Sequence, residues 1–318
     1  MRNLITGGCG FIGSHLADAL HADGQEVIVL DDLSTGKIEN IRHLENKPGM
    51  QVLIGSVTEQ DLVHEAVRKC DRVFHLASAV GVKLIMERPV QTIDTIVTGT
   101  QVVLAHANRY RKPVLLTSTS EVYGKSTAVP FEEDGDRLSG PTTKHRWAYA
   151  CAKALDEFLA MAYWKSSRLP VAVVRLFNTV GPRQTGQYGM VIPNFVRSAK
   201  AGLPLQVYGD GNQSRCFCHV ADVVRGLIAL MDCSQAYGEV VNLGSTEEVT
   251  IMELARRVIS ETSSQSDVLL VPYEHVFGEG FEDMVRRVPS IEKAKRLVGW
   301  QPELGLSRTI RDVAASCP

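Results

Sequence analysis

The sequence predicts an α/β fold: a doubly wound parallel sheet with a smaller α/β lobe in the C-terminal part of the chain. Up to about residue 180, short runs rich in β-branched residues alternate with longer helical patterns, and a Gly-rich turn joins the first strand to the first helix. Several strand candidates are continuously apolar, which is typical of parallel strands buried on both faces. Together these features favour one parallel sheet covered by helices on both sides.

The alternating part contains six strand candidates and four helix candidates. The strands are predicted at Asn3–Thr6, Glu26–Leu30, Gln51–Ile54, Arg72–Leu76, Val114–Thr117 and Val171–Leu176. The helices are predicted at Phe11–Ala22, Glu59–Cys70, Val90–Tyr110 and Trp147–Ser166. Further helices are predicted at Ala221–Met231, Ile251–Thr262 and Ile291–Leu297. The loss of regular alternation after Leu176 predicts a second lobe, with a ligand in the crevice at the carboxyl ends of the strands.

The composition is that of an ordinary globular chain. The 318 residues are 44% hydrophobic and carry a net charge of −2, which excludes a disordered chain and a strong global attraction to nucleic acid or an anionic membrane. No run of about 18 apolar residues is present, so we expect no membrane helix. The seven scattered cysteines and the absence of a signal-peptide pattern predict a reduced, cytoplasmic protein without a metal site.

The Gly-rich turn has the features of a dinucleotide-binding site. Gly7, Gly10 and Gly13 allow a tight turn, close approach of the backbone to a pyrophosphate, and close packing of the helix on the strand. The helix that opens at Phe11 and Ile12 directs N–H groups and its positive dipole end at the same place. A strand precedes the motif and an amphipathic helix follows it, as this motif requires. The alternative is a tight turn that binds nothing.

Asp31 at the end of the second strand is predicted to select the cofactor. It lies 18 residues beyond Gly13, close to the spacing of about 20 expected for the acid that binds the adenosine ribose. A carboxylate there accepts hydrogen bonds from the ribose hydroxyls and repels a 2′-phosphate. We therefore expect NAD rather than NADP, the alternative being an Asp that only initiates a turn.

Tyr149 and Lys153 are candidate catalytic residues. They are four residues apart on a predicted helix and so share one face. A Lys ammonium beside a phenol favours the phenolate, which makes Tyr149 a candidate general base. Thr119 and Glu121 follow the fifth strand, where one could bind a substrate hydroxyl and the other act as an acid or base. In isolation the Tyr–Lys spacing would indicate only a helix-surface pair.

These residues and several downstream motifs resemble the extended short-chain dehydrogenases/reductases that modify nucleotide sugars. The resemblance covers nearly the whole chain. Besides the residues above, its marks are His75-Leu76-Ala77, Arg175–Arg183, Val207–Gly211, Arg215 and Asn242–Gly244. It implies that residues 1–177, joined by some later segments, form a Rossmann-type domain that binds NAD. Residues 178–318 would then mainly form a nucleotide-sugar-binding lobe.

The resemblance also implies further ligand contacts and an assembly. Cofactor contacts are expected from Ser56, Val57, Leu76, Ala77 and Thr117, in addition to the turn, Asp31, Tyr149 and Lys153. Substrate contacts are expected from Ser120, Asn178, Val191, Tyr208, Arg215 and Arg287. Arginine suits the second set because its guanidinium makes forked contacts with phosphate oxygens. The apolar faces of helices 90–110 and 147–164 resemble those of a homodimer built through a four-helix bundle, or could equally cover the sheet.

Thr119-Ser120-Glu121 resembles both UDP-glucuronate decarboxylases and GDP-mannose 4,6-dehydratases. Two further stretches resemble decarboxylases in particular. One is Gly140–Tyr149, which is similar to the approach to the catalytic Tyr in the bacterial aminoarabinose-pathway decarboxylase domain, and the other is Arg287–Ile291, which is similar to the stretch carrying the decarboxylases' catalytic arginine. By position, Arg287 is that residue and Glu121 its partner. The first expectation is therefore an NAD-dependent UDP-glucuronate decarboxylase. A UDP-hexose or uronate 4-epimerase and a nucleotide-hexose 4,6-dehydratase stay open as alternatives, as does a non-catalytic NAD-binding regulator.

Three positions depart from the family's pattern. Ile85 replaces a substrate-contacting Tyr, Ile96 replaces the Asn that precedes a Gly-Thr pair, and Ser56 replaces an adenine-binding Asp. The first departure bears on recognition of glucuronate. The third predicts weaker contacts with adenine but not the loss of NAD binding.

Overall fold

The computed structural model describes residues 1–78, 89–186, 190–272, 284 and 286–317. Ile85 lies outside these described residues, so its expected effect on glucuronate recognition stays a prediction. The predicted α/β class is confirmed, because a parallel sheet flanked by helices forms the centre of the molecule.

The central sheet has seven strands, and every neighbouring pair is parallel. The strands are β1 (Arg2–Thr6), β2 (Glu26–Asp31), β3 (Met50–Ile54), β4 (Arg72–His75), β5 (Val114–Thr119), β6 (Val171–Leu176) and β11 (Val240–Leu243). Their spatial order is β11-β6-β5-β4-β1-β2-β3. The direction of strand order reverses between β1 and β4, and such a switch point opens a crevice at the carboxyl ends of the strands.

Helices cover both faces of this sheet. Alternate side chains of each strand point to opposite faces, so Ile5 and Val29 join one core while Leu4 and Ile28 join the other. The first core is closed by α1 (Phe11–Ala22), α6 (Val220–Asp232) and α8 (Glu292–Val298). The second is closed by α2 (Gln60–Lys69), α3 (Pro89–Tyr110) and α4 (Ala148–Ser167).

Shorter elements build a smaller lobe with a core of its own. Its helices are α5 (Val191–Lys200), α7 (Ile251–Glu261) and α9 (Leu306–Ser316). Its strands are β8 (Leu205–Tyr208) paired with β13 (Val268–Val271), and β12 (Glu248–Thr250), β9 (Ser214–Cys216) and β14 (Arg286–Arg287) in that order. Two short strands, β7 (Thr179–Val180) and β10 (Cys218–His219), pair with each other. In the sequence, β7 lies between β6 of the main sheet and α5 of the smaller lobe, and β10 lies between β9 of the smaller lobe and α6. Ile192, Val207, Leu254 and Ile310 are fully buried in the lobe's core.

The predicted elements of the first 180 residues are all present, with small shifts at their ends. β5 continues to Thr119, and the helix predicted from Trp147 begins at Ala148 after a short 3₁₀ turn. The sequence did not predict β11 of the central sheet, the strands of the smaller lobe, α5 or α9. Strands of two to four residues carry too little periodicity to be recognised. In the ranges that the structure describes, no helix is long and apolar enough to cross a bilayer.

Candidate active site

The Gly-rich turn between β1 and α1 requires glycine at two positions for different reasons. Gly7 has a φ of 72°, and a Cβ there would lie 2.9 Å from the backbone nitrogen of Ala77. A Cβ on Gly13 would lie 2.1 Å from the carbonyl oxygen of Gly7, so only glycine lets the helix pack this closely on the turn. Gly10 is the N-cap of α1 and has no side chain to cap the helix. The amides of Phe11 and Ile12, the first two of α1, therefore have no side-chain cap to accept their hydrogen bonds, as an anion-binding helix start requires.

Asp31 is the last residue of β2 and is buried beside this turn. Its Oδ2 accepts a hydrogen bond from the backbone N–H of Cys9 at 2.9 Å, and its Oδ1 accepts one from Leu33 at 2.8 Å. Burial raises the pKa of Asp31, and these amide hydrogen bonds act in the opposite direction. The carboxylate is thus fixed at the carboxyl edge of the sheet, next to the uncapped start of α1. These groups fit the pyrophosphate and ribose of a dinucleotide.

The other predicted cofactor residues follow neighbouring strands on the same edge. Leu76 and Ala77 follow β4, where their amides donate to the carbonyl oxygen and the Oγ1 of Thr6, respectively. Thr117 on β5 donates to the carbonyl oxygen of His75 at 3.1 Å. Ser56 follows β3, and its Oγ hydrogen-bonds within its own turn.

Val57 is buried against α3, where a Cβ on Gly99 would meet it at 2.6 Å. The structure thus gives the Val57 side chain a packing role, and its contact with a cofactor stays a prediction.

Tyr149 lies on the first turn of α4, next to the end of β5. It is buried, and burial raises the pKa of its phenol, with a further increase from the charge of Glu121. The hydroxyl groups of Ser78 and Thr119 lower this pKa in part. Thr119 is the last residue of β5, and its Oγ1 accepts a hydrogen bond from the Glu121 amide at 3.2 Å. The structure therefore brings the predicted base and both predicted polar neighbours together.

Lys153 lies one helical turn beyond Tyr149 and is fully enclosed. Its Nζ donates to Oδ2 of Asp156 at 3.1 Å, and only 2% of Lys153 and 1% of Asp156 are exposed. Asp156 was not selected from the sequence. A carboxylate three residues after a lysine on the same helix is a signal that could have identified it.

Glu121 and Arg287 form an ion pair on the other side of Tyr149. Oε1 of Glu121 lies 2.6 Å from Nη2 of Arg287, and both side chains are largely buried. Nη1 of Arg287 also contacts Oδ1 of Asn178 at 3.5 Å, and the amide of Asn178 donates to the carbonyl oxygen of Cys216. Three residues expected to act on the substrate therefore form one cluster.

Arg215 lies next to Arg287 on the neighbouring strand. In the parallel pairing of β14 with β9, Arg287 is the register partner of Arg215. Both guanidinium side chains are buried, and Nη1 of Arg215 donates to the carbonyl oxygen of Ser214 at 2.8 Å. Two adjacent buried cations form a suitable site for an anion such as a diphosphate.

The remaining predicted substrate residues are more dispersed. Ser120 is buried in the 3₁₀ turn that follows β5. Val191 begins α5, and Tyr208 ends β8, both in the smaller lobe. Their contribution to a substrate site stays a prediction from the resemblance.

Two anchors fix the short strand that carries Arg287. Arg286 makes two hydrogen bonds with Glu248, at 2.7 and 2.8 Å, and Arg286 and Ser214 lower the pKa of Glu248 to about 2. On the other side, the amide of Phe131 donates to the carbonyl oxygen of Val288 at 2.8 Å. A two-residue strand has little pairing of its own, so these contacts determine where Arg287 lies. Within the described part of the chain, no group of three or more metal-binding side chains occurs.

Comparisons with known proteins point to nucleotide-sugar chemistry. A family model described as GDP-mannose 4,6 dehydratase matches residues 4–313. The UDP-N-acetyl-alpha-D-glucosaminuronate decarboxylase of Bacillus cytotoxicus is 44% identical over 98% of this chain and 97% of its own length. UDP-glucuronic acid decarboxylase 1 of Danio rerio is 38% identical over 98% of this chain and 72% of its own length.

A solved structure supports the same relationship. The UDP-glucuronic acid 4-epimerase from Bacillus cereus, solved in complex with UDP-glucuronic acid and NAD, superposes with a TM-score of 0.89 at 25% identity. The match covers 100% of this chain and 99% of that one. The similarity therefore extends over the sheet, the smaller lobe and the crevice between them.

Proposed function

Because the chain belongs to the GDP-mannose 4,6 dehydratase family of extended short-chain dehydrogenases/reductases, we propose that it decarboxylates a UDP-linked hexuronate with NAD as its cofactor. UDP-glucuronate is the first candidate substrate. The observation that carries the proposal is the buried Glu121–Arg287 ion pair beside Tyr149. Such a pair suits the step in which a carboxyl group is lost and a carbon is reprotonated.

The cofactor site is formed by the uncapped start of α1, the Gly-rich turn and Asp31. The helix start would bind the pyrophosphate, and the Asp31 carboxylate would accept hydrogen bonds from the ribose hydroxyls. When bound, NAD⁺ would supply reversible oxidation and reduction at C4 of the sugar, with no net consumption of cofactor.

Tyr149 acts as the general base in the first half of the reaction. It takes the proton of the sugar 4-hydroxyl as that carbon is oxidised, and Thr119 holds the same oxygen by a hydrogen bond. Lys153 stabilises the phenolate because its ammonium lies one turn away on the same helix face. The product of this half is a 4-keto sugar, and Tyr149 returns the proton when the ketone is reduced again.

Glu121 and Arg287 act in the middle of the reaction. A 4-keto hexuronate is a β-keto acid, so the bond between C5 and C6 breaks, carbon dioxide leaves and the electron pair remains on C5 as an enolate. The enolate takes a proton at C5, which Glu121, held by Arg287, takes up from solvent and passes on. With reduction at C4, for which Tyr149 returns its proton, the product is a UDP-pentose, and one solvent proton is consumed for each carbon dioxide released.

Two observations argue against the open alternatives. A 4,6-dehydration starts from a sugar with a hydroxyl at C6, whereas the relatives at 44% and 38% identity are named as decarboxylases of uronates. A 4-epimerisation needs the keto sugar to turn over and gives no role to a fixed ion pair. A non-catalytic regulator does not need Thr119, Tyr149 and Lys153 together.

A specific observation favours a second substrate. The relative at 44% identity is named for a 2-acetamido uronate, whereas that at 38% is named for UDP-glucuronate. We therefore include UDP-N-acetylglucosaminuronate as the second candidate. The two substrates carry the same reacting groups at C4, C5 and C6 and differ only at C2.

The smaller lobe is proposed to bind the nucleotide sugar, and two arginines support this role. Arg215 and Arg287 lie side by side, next to Asn178, at the boundary between residues 1–177 and 178–318. Their charges suit the diphosphate and the uronate carboxylate. Ser120, Val191 and Tyr208 complete the proposed substrate set.

A homodimer is proposed through the exposed faces of α3 and α4. Ile93 on α3 and Leu155 and Phe158 on α4 are large apolar side chains with 42%, 51% and 61% of their surface exposed. The two helices also pack against each other, so a second copy would complete a four-helix bundle. All seven cysteines are free thiols, which is compatible with the cytoplasmic location that we propose.

The proposal is tested by mass spectrometry of the products. Purified protein with NAD⁺ is incubated separately with UDP-glucuronate, UDP-N-acetylglucosaminuronate and UDP-glucose. A product lighter by one carbon dioxide from either uronate supports the proposal, and the ratio of the two rates identifies the substrate. An unchanged mass with both uronates refutes decarboxylation, and NMR at C4 or loss of water from UDP-glucose would then identify an epimerase or a dehydratase.

A further inference from the structure

In the proposed mechanism, Asp156 makes no direct contact with the substrate. Its carboxylate is 1% exposed and accepts a hydrogen bond from Nζ of Lys153, itself 2% exposed, at 3.1 Å. Taking an ammonium and a carboxylate out of water is costly unless the two are paired and hydrogen-bonded. If either partner is removed, the other is left as an unpaired buried charge.

Asp156 also belongs to a chain of hydrogen bonds that ends at the Gly-rich turn. Thr100 on α3 donates to the same Oδ2 at 2.9 Å, and its Oγ1 lies 3.1 Å from Nε2 of His75. Nδ1 of His75 lies 2.7 Å from Oγ1 of Thr6, the last residue of β1. The proposed proton-transfer helix is therefore linked to the cofactor turn by buried polar side chains on three elements.

Near Lys153, helix α3 presents an apolar side chain. Ile96 on α3 packs with Tyr149 and Ala152 in an apolar cluster beside it. In the family's pattern, an Asn would occupy the Ile96 position. Asp156, three residues after Lys153 on α4, thus takes the place of the polar partner that α3 lacks at this position.

We propose that Asp156 is a positioning residue that keeps Lys153 charged and directed at Tyr149. This inference rests on the proposed function, since it assigns Asp156 a role only through the Lys153–Tyr149 pair. Asp156 then has two effects on formation of the Tyr149 phenolate, and they act in opposite directions. The negative charge of Asp156 by itself opposes formation of the Tyr149 phenolate, whereas holding the Lys153 ammonium in place favours it.

Few titratable groups surround Lys153, so changes in its protonation can be measured. Lys153, Tyr149 and Glu157 share α4 with Asp156, His75 approaches from β4, and Glu121 acts on Tyr149 from beyond β5. His75 is fully buried, and burial lowers its pKa to about 3, so it stays neutral over the working range of pH. Changes in Lys153 can therefore be followed without interference from His75.

The test is the Asp156→Asn variant, studied by NMR of protein labelled with ¹³C at the lysine ε carbon. The Lys153 signal is assigned by its loss in Lys153→Met. We expect Lys153 in Asp156→Asn to give up its proton at a pH at least about one unit lower than in the unchanged protein, because its carboxylate partner is gone. Glu157→Gln is the matched control, since Glu157 is also a buried carboxylate on α4 but pairs with Arg175.

An unchanged Lys153 titration in Asp156→Asn, or an equal shift in Glu157→Gln, would overturn the proposal. If Asp156→Asn does not fold, the same substitution is made in the Lys153→Met background, where the ammonium is gone. There it is expected to raise the melting temperature above that of Lys153→Met alone, and a further loss of stability would contradict the pairing.

Activity gives an independent readout. On a uronate that the unchanged protein decarboxylates, the alkaline limb of the Asp156→Asn pH profile is expected to move to lower pH, with kcat at least about 10-fold lower at pH 8. An alkaline limb that stays in place would count against the proposal. Neither the titration nor the melting experiment needs turnover. Failure of the proposed function, seen as no reaction of the unchanged protein, is therefore distinguishable from failure of this inference.

Discussion

Glu121 and Arg287 are joined by an ion pair of 2.6 Å between Oε1 and Nη2, although they belong to different lobes of the chain. Glu121 follows the central strand β5, and Arg287 lies on β14 of the smaller lobe. The pair therefore joins the two lobes near Tyr149 through one cation and one anion. A change to either residue alone leaves the other buried without its counter-charge.

Glu121→Gln is expected to slow the return of a proton to C5 but not the oxidation at C4 and the loss of carbon dioxide that precede it. The amide cannot exchange the proton needed at C5, so steady-state turnover should fall at least about 10²-fold because the enzyme cannot complete its cycle. Oxidation at C4 depends on Tyr149, so the first turnover should persist up to the loss of carbon dioxide. Trapping of that first turnover with borodeuteride, followed by mass spectrometry, should show deuterium in a UDP-pentose.

Glu253→Gln is the control for this prediction. It makes the same change in an ion pair of the smaller lobe, because Glu253 accepts from Nη2 of Arg257 at 2.7 Å on α7, and nearly half of its side chain is exposed. Activity close to that of the unchanged protein is expected there. Equal losses in both variants, or a Glu121→Gln protein with normal steady-state turnover, would contradict a role for Glu121 in this step.

Tyr149→Phe is expected to lower turnover by roughly 10²–10⁴-fold, which is the usual contribution of a positioned general base. Binding of NAD⁺, measured by calorimetry, should weaken far less than turnover falls, because the Gly-rich turn and Asp31 keep their proposed cofactor contacts. The control is Tyr163→Phe, which removes a phenol hydroxyl from the same helix. Tyr163 packs against the core on the α3 side of the sheet. Near-normal turnover in Tyr149→Phe would remove the basis of the whole mechanism.

The sheet and the cofactor turn could be predicted from the sequence because their signals are local. Continuous apolar strands and a turn that requires Gly7 and Gly13 are visible within short windows. The pairing of Glu121 with Arg287 was expected only through the resemblance, since nothing in either segment indicates the other. The structure brings the two together, while their chemical roles remain proposals.

Asp156 and His75 show two different reasons why parts of a site are missed. Asp156 carries a local signal, an acid three residues after a lysine, which becomes meaningful only once both are known to be buried. The contacts of His75 with Thr6 and Thr100 join three elements that are distant in sequence. Contacts of that kind depend on the register of the sheet and the packing of α3, and no single window of sequence contains them.

Acid is expected to destabilise the fold partly through His75. Burial lowers its pKa to about 3, whereas the unfolded chain takes up the proton near pH 6.5. The unfolded state therefore binds more protons between these values, so the contribution is fully present above pH 6.5 and is lost as the pH falls. The free energy of unfolding, from urea titrations, should decline by up to about 1.4 kcal/mol per pH unit from this group alone.

His75→Gln isolates that contribution. The variant should be less stable at pH 8, because the contacts with Thr6 and Thr100 change, but its stability should fall less steeply below pH 6.5. His145→Gln, at an exposed histidine, should leave the slope unchanged. Parallel curves for the unchanged protein and His75→Gln would show that His75 is not a buried neutral group.

Phe158→Asp is expected to convert a dimer into a monomer. The side chain is 61% exposed on α4, and a charge there would have to be buried in the proposed four-helix interface. Sedimentation velocity at micromolar concentration measures the change. Leu203→Asp, at a similarly exposed leucine in the smaller lobe, should not alter the assembly, and a monomeric unchanged protein would refute the proposal.

Asp31→Asn is expected to weaken the preference for NAD⁺ over NADP⁺. The substitution removes the negative charge that repels a 2′-phosphate and one strong acceptor for the ribose hydroxyls, so the Kd for NAD⁺ should rise by about 10-fold or more. Affinity for NADP⁺ should stay the same or improve. The asparagine keeps one oxygen that can accept from Cys9 or Leu33, so the turn should hold its shape in part. Calorimetric titration with both cofactors gives the ratio directly.

Asp32→Asn distinguishes this charge effect from a general change in the loop. Asp32 is the next residue, is exposed, and hydrogen-bonds Ser34 within its own turn. Its carboxylate carries the same charge but lies outside the buried position at the end of β2. If the ratio of the two affinities falls only in Asp31→Asn, the buried carboxylate sets the cofactor preference. If it falls equally in both variants, the preference comes from the overall negative potential of the loop, and the direct ribose contact assigned to Asp31 is wrong.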